Sequence, residues 1–241
     1  MSHLQTIVFG QGLTAKMCVV DQQVQPDLAL TMLQVPYCRA TIIIHSGAGQ
    51  MEDIYTHQLM DLFTEGLARF AQHHQVMIAD GGTHAGGVKI IGQARHTLKA
   101  TFPLVGVAVT QTVTFPGGPL KTPNRWPLNA YHSHFLLVKA DVFSAESPLL
   151  MGLATARPVP ALAIIVNGGD IVREESLVHA KHQIPLVVLK GSGRFADELA
   201  DSAPDSELRA KYPADKLYIF DTNTQTPQEF YNLLHQILFG D

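Results

Sequence analysis

Cysteine is nearly absent from this chain. Cys18 and Cys38 are the only two in 241 residues, which excludes a disulfide scaffold and suits a reducing compartment. Charge is also scarce: 16% of residues are Asp, Glu, Lys or Arg, and the formal net charge is −4. A surface this sparsely and slightly negatively charged excludes a broad nucleic-acid or anionic-membrane face, though not a small basic pocket for one phosphate. No apolar run approaches the ~18 residues of a membrane span, and the first ten residues lack a charged segment leading into an apolar one. A cytoplasmic, unprocessed domain is expected. Apolar residues supply 46% of the chain, so a sizeable core can form. There is neither an internal repeat nor a low-complexity linker, and one domain over 1–241 is the expectation.

The apolar residues come in short, β-branched blocks: 41–44, 76–79, 104–109, 135–138, 163–166 and 186–189. Each is continuous, which marks strands covered on both faces. Between most of them lie helical patterns, over 53–70, 88–98, 174–182 and 194–200, with 228–239 closing the chain. Ser147-Pro148 reads as an N-cap followed by proline at the first helical position. Strand and helix in alternation predict a Rossmann-like, doubly wound α/β fold, a mainly parallel sheet with helices on both faces. The 163–166 and 186–189 strands are expected to be neighbours or nearly so. Thr6–Phe9 and Met17–Val20 read as a small antiparallel edge. The segments 115–128 and 201–216 read as irregular.

Four of the strands run straight into glycine-rich turns: His45-Ser46-Gly47-Ala48-Gly49, Asp80-Gly81-Gly82-Thr83-His84-Ala85-Gly86-Gly87, Asn167-Gly168-Gly169-Asp170 and Lys190-Gly191-Ser192-Gly193-Arg194. In a parallel sheet all four lie at one edge, outside the carboxyl ends of the strands, where open α/β sheets bind ligands. Glycine lets backbone N–H groups approach a phosphate, and the following helices present positive dipole ends. Tight turns also need glycine for positive φ whatever the function. Four such turns on one edge favour a phosphorylated, nucleotide-like ligand. None is a P-loop or a strict GxGxxG.

These turns resemble a known group. Asp80-Gly-Gly-Thr-His-Ala-Gly-Gly-Val-Lys89, His132-Ser-His-Phe-Leu-Leu-Val138, Asn167-Gly-Gly-Asp170 and Leu189-Lys-Gly-Ser-Gly-Arg-Phe-Ala-Asp197 are similar to motifs of the SLOG superfamily, above all its LSDAT branch. That branch occurs in prokaryotes and in the N-terminal region of melastatin-type TRP channels. The motif core covers about 41–200. The resemblance implies a nucleotide-derived ligand, of the ADP-ribose or NAD-derived type in the channel branch, bound by a sensor or signalling module. The superfamily also holds the Lonely Guy phosphoribohydrolases, with the signature Pro-Gly-Gly-x-Gly-Thr-x-Glu-Glu. Here the stretch from Asn167 keeps Gly168-Gly169 and Glu174-Glu175, but Ile171-Val172 replace the inner Gly-Thr. The alternative reading is therefore a nucleotide hydrolase with Glu175 and Arg173 as its catalytic residues.

Candidate ligand residues are Ser46, Gly47, Gly49, Gly81, Gly82, Thr83, His84, Gly86, His134, Asn167, Gly168, Gly169, Asp170, Gly191, Ser192, Gly193 and Arg194. Arg194 is the leading partner for a ligand charge, because a cation at a helix N-terminus is disfavoured by the dipole; Asp197 is its intrachain alternative. Arg173 and Lys190 are further cations at this edge. Thr83 can offer N–H and hydroxyl to phosphate while capping the next helix. His84 is a stacking partner or a solvated residue. Asp170 and Glu175 can accept ribose hydroxyls, with an N-cap role open for Asp170. His134 positions a ligand or holds loop backbone. The pairs His132/His134 and His179/His182 lack a third ligand set, so no metal and no cofactor are expected. Trp126 is a stacking lid over a base or a fastener for its loop. Helices 228–239 and 53–70 are the candidate homodimer contacts. No channel segment is expected beside the domain, so an enzyme, or a sensor whose effector is a separate protein, is the expectation.

Overall fold

The computed structural model describes residues 4–47 and 59–240. Gly49 and the start of the predicted 53–70 helix lie outside the described residues. The chain opens with a hairpin, β1 (Gln5–Val8) and β2 (Thr14–Val20), then α1 (Pro26–Met32) and β3 (Ala40–Ser46). A π-helical turn, Leu62–Ala68, runs into α2 (Arg69–His74), followed by β4 (Val76–Asp80), α3 (Gly86–Thr97) and β5 (Leu104–Val109). Two-residue strands β6 (Val113–Thr114) and β7 (Trp126–Pro127) precede β8 (His134–Val138) and α4 (Ser147–Gly152). The rest alternates: β9 (Ala161–Val166), α5 (Asp170–Lys181), β10 (Leu186–Lys190), α6 (Arg194–Asp201), β11 (Leu217–Asp221) and α7 (Pro227–Phe239).

Among the described residues, nine strands form one sheet in the order β1-β2-β8-β5-β4-β3-β9-β10-β11. Of these, only β1 and β2 pair antiparallel; the other neighbours are parallel. All six predicted blocks are in it, and β9 and β10 are neighbours. Alternation along β3 shows how the layers arise: Ile43 packs with α1, α4, α5 and α6, whereas Ile42 and Ile44 pack with residues 62–71, α3 and α7. A third cluster, with Phe9, Val113, Leu128 and Phe135, lies where the hairpin and the 113–128 segment meet β5 and β8. This is a Rossmann-like α/β fold with helices on both faces.

Several local expectations need correction. β2 is not confined to an edge hairpin, because its other side pairs with β8. Leu217-Tyr-Ile-Phe-Asp221 forms β11 without a continuous apolar block to announce it, since it is short and only Phe220 in it is buried. α5 starts four residues earlier than the pattern from Glu174 suggested. Ser147 is the first helical residue of α4, not its cap, and Pro148 follows it. The 115–128 segment is partly ordered by β6–β7 pairing and by a bridge between Leu128 and Thr83.

The chain order sets the place for a site. From β3 the chain moves one way through β4, β5 and β8, then returns to the other side of β3 for β9, β10 and β11. The reversal lies between β3 and β9, whose carboxyl ends meet at Ser46 and Val166. Open α/β sheets form their ligand crevice at such a switch point.

Candidate functional site

A cavity of about 420 Å³ opens at that point, within the size range of small-molecule sites. It is lined by the end of β3 (Ile44 to Ser46) with Gly47 after it, the turn after β4 (Gly81, Thr83), Ala108 of β5 and Thr112 beyond that strand, Trp126, the 143–150 segment, the start of α5 and Arg194. Its mouth is apolar and open: Trp126 is 38% exposed, Ile171 48% and Phe143 54%.

Two kinds of glycine separate here. Gly82 and Gly168 have φ of +68° and +94°, and a Cβ would strike Gly106 Cα at 2.9 Å or the Val172 side chain at 2.8 Å. At both positions the neighbouring atoms themselves require glycine. Gly47, Gly81 and Gly169 line the cavity without positive φ. Among the described residues a Cβ at Gly81 would meet nothing within 4 Å, and at Gly169 it would meet Arg194 Nη2 at 2.7 Å. Their lack of side chains keeps space open in the cavity, not a turn conformation.

Arg194 has φ +51°, an uncommon conformation for an arginine. Its Nη1 lies 3.3 Å from where a Gly47 Cβ would stand. Among the described residues its guanidinium makes no ion pair. Asp197 is engaged elsewhere, its Oδ1 accepting from Gly191 N–H at 2.6 Å.

Beneath this cationic rim the wall is acidic and buried. The Glu175 carboxylate accepts from Ser147 Oγ at 2.5 Å and from His45 Nδ1 at 2.6 Å. His45 Nε2 faces His179 Nε2 at 2.8 Å, so one of these two nitrogens must be bare. Burial pushes the Glu175 carboxyl up, but the hydrogen bonds from His45 and Ser147 and the charge of His45 outweigh it and hold it below the usual range. Burial, with His45 and His182 adding to it, lowers His179 to about 3. Glu146 goes the other way: burial, and then the nearby Glu175 carboxylate, push it up against backbone hydrogen bonds at Ser144 and Glu146. Its Oε2 is buried with no partner among the described residues.

The cavity brings together Ser46, Gly47, Gly81, Thr83, Gly169, Asp170, Glu175 and Arg194. The other candidates stand aside from it. Ser46 Oγ also accepts from Gly87 N–H at 2.8 Å, pinning α3 to β3, and Gly86 lets the Gly47 carbonyl approach. Thr83 does not cap α3, whose N-cap is Ala85, and Gly169 rather than Asp170 caps α5. His84 is exposed, with its backbone N–H donating to Pro127 O. His134 is buried at the start of β8, 2.8 Å from Ser133 Oγ, and burial, with Lys16 and Arg95, lowers it to about 4. Arg173 pairs with Glu198 at 2.6 Å and Lys190 with Asp201 at 2.7 Å. Asn167 and Ser192 fasten two turns together: Ser192 Oγ accepts from Asn167 N–H at 2.8 Å, and Asn167 Nδ2 donates to Ser192 O at 2.7 Å. Gly193, at φ +93°, lets the chain enter α6.

Sequence pattern does not single out His45, Glu146, Ser147 or Phe143 as residues of the site, although His45 stands in the first glycine turn and Ser147 reads as a helix cap. His45 carried a readable signal, since a polar residue ending an Ile-Ile-Ile run lies on the Ile43 face, toward α5. Glu146 and Phe143 are on a segment without periodicity. Among the described residues no group of three or more His, Cys, Asp or Glu could hold a metal, and no helix is long and apolar enough to cross a membrane.

Known proteins resemble most of this chain. It is 26% identical over 202 residues to transient receptor potential cation channel subfamily M member 2 of Mus musculus, covering 68% of this chain and 13% of the channel. It is 27% identical over 224 residues to subfamily M member 7 of Homo sapiens, covering 77% and 12%. A Caenorhabditis elegans transient receptor potential channel is 24% identical over 201 residues, covering 69% and 10%. The chain thus spans about an eighth or less of these channels' length. The family described as "SLOG in TRPM, prokaryote" matches residues 39–230, and the chain belongs to that family.

Proposed function

We propose that this domain binds a nucleotide-derived ligand of the ADP-ribose type in the switch-point cavity, as a sensor or signalling module. The observation that carries the reading is the Arg194 guanidinium, unpaired among the described residues, over the side-chain-free backbone of Gly47 and Gly169 at the start of α5. A cation, a helix N-terminus and open backbone together suit a phosphate. The apolar mouth of Trp126, Phe143 and Ile171 suits a base or sugar face. Similarity to the channel sequences supports the same ligand class. Thermal-shift screening and calorimetric titration with AMP, ADP-ribose and NAD test it. At least one should bind the wild type and bind Arg194→Ala more weakly; no binding by any of the three would contradict the reading.

One observation favours a second reading, release of base or ribose from a nucleotide. Two carboxyls of one cavity are pushed in opposite directions, Glu146 up and Glu175 down, the pattern of an acid beside a charged stabiliser. Chromatography of the same mixtures separates the readings. Linear product release, lost in Glu175→Gln, would establish the hydrolase; binding without release supports the sensor.

A further inference from the structure

Glu146 stands apart from the other acidic groups of the cavity. Glu175 has both oxygens engaged, by Ser147 and by His45. Glu146 lines the same cavity with an Oε2 that is buried and has no partner among the described residues. A buried polar atom without a partner costs free energy, and such atoms ask for an explanation in function. The segment that presents it is itself held in an uncommon conformation, with Ser144 at φ +72° and the Ser144 carbonyl accepting from Ser147 N–H at 3.1 Å. Backbone outliers of this sort collect at ligand clamps. The neighbouring Glu175 carboxylate disfavours a second negative charge here, so an anionic part of a ligand is repelled from this wall and a neutral donor is welcome.

We infer that Glu146 is a specificity-determining residue: its carboxyl takes a neutral hydrogen-bond donor of the bound molecule, a sugar hydroxyl or a ring amine, while the anionic part of the same molecule goes to Arg194. The inference rests on the proposed ligand reading and narrows it. The ligand is anionic in one part and donor-bearing in another, as a nucleotide or phosphorylated sugar is and an inorganic polyphosphate is not. Asp170 stays on the rim, at the first position of α5, and Glu175 serves as the buried anchor of His45.

Calorimetric titration of ADP-ribose into wild type, Glu146→Gln, Glu146→Leu and Arg194→Ala tests it, with melting temperatures of the free proteins taken alongside. Glutamine keeps an acceptor oxygen and leucine does not. The expected result is affinity lowered about tenfold or more in Glu146→Leu and within about threefold of wild type in Glu146→Gln. Glu146→Gln should melt no lower than wild type, because it removes a charge facing Glu175 and leaves no partner orphaned. Wild-type affinity in Glu146→Leu, or glutamine as weak as leucine, would overturn the assignment. So would a melting temperature several degrees lower in Glu146→Gln, which would make Glu146 a structural residue. If Arg194→Ala alone loses affinity, the ligand reading stands and this inference falls. If the wild type takes up neither ADP-ribose, AMP nor NAD, the ligand reading falls and this inference with it.

Discussion

The turn after β9 and the turn after β10 share one sequence grammar, a strand running into glycines and then a helix, yet they are used differently. After β10 the chain satisfies itself. Ser192 Oγ donates to Leu189 O at 2.6 Å, Asp197 accepts from Gly191 N–H, and the Phe195 and Ala196 N–H groups donate to Gly168 O and Asn167 O. The α6 N-terminus therefore has few donors left for an anion, and only the Arg194 side chain reaches the cavity. After β9, Gly169, Asp170, Ile171 and Val172 all line open space. Glycine in a βα turn thus marks a tight turn; a cavity appears where the first helical turn is not already filled by the protein's own groups.

The largest effect is expected at the fastening between the two turns. Asn167→Leu removes two side-chain hydrogen bonds and places a branched side chain at φ +57°. It should cost about 3 kcal/mol or more of stability, read as a lower midpoint in urea unfolding. A variant that unfolds like wild type would mean that the turns do not depend on each other.

Arg194→Ala should do the reverse. Losing a charge-assisted hydrogen bond worth roughly 1.5–3 kcal/mol weakens ligand roughly ten- to a hundredfold, while the melting temperature of the free protein barely moves. Arg173→Ala is the control. Its exposed pair with Glu198 is worth about 1 kcal/mol or less, and affinity should be unchanged. Equal losses in both variants would contradict the separation of the two arginines.

A smaller effect comes from the buried chain under the open turn. His179 is lowered to about 3 in the folded protein, whereas an unfolded histidine takes up a proton near its ordinary value. Its contribution is therefore complete above pH ~6.5 and lost progressively as the pH falls toward the folded value, a loss on the order of 1 kcal/mol by pH ~5.5. His179→Gln should flatten that part of the stability–pH curve. An unchanged slope would show that His179 titrates normally.

The fold was legible because continuous β-branched blocks have one physical use, as strands covered on both faces, and the six blocks are indeed β3, β4, β5, β8, β9 and β10. β11 escaped because an edge strand packed mainly through Phe220 need not be apolar throughout. The carboxyl edge was legible from glycine, but not which glycines: Gly81 and Gly82 are adjacent, and only three dimensions show that one leaves space while the other avoids Gly106. The buried chain of Ser147, Glu175, His45 and His179 joins residues more than 100 positions apart, and no spacing rule brings β3 against α5. Ser147 looked like a helix cap because serine before proline usually is one; a carboxylate across the cavity wall claims its hydroxyl instead.

Substitution of Gly81 shows whether the ligand occupies the switch-point cavity. Gly81 lines the cavity, has no positive φ, and a Cβ there would meet nothing within 4 Å among the described residues. Gly81→Leu should therefore fill the cavity without disturbing the fold. Calorimetric titration of ADP-ribose into wild type and Gly81→Leu, at equal melting temperature, should show binding in the first and its loss in the second. Undiminished binding by a folded Gly81→Leu protein would contradict the account.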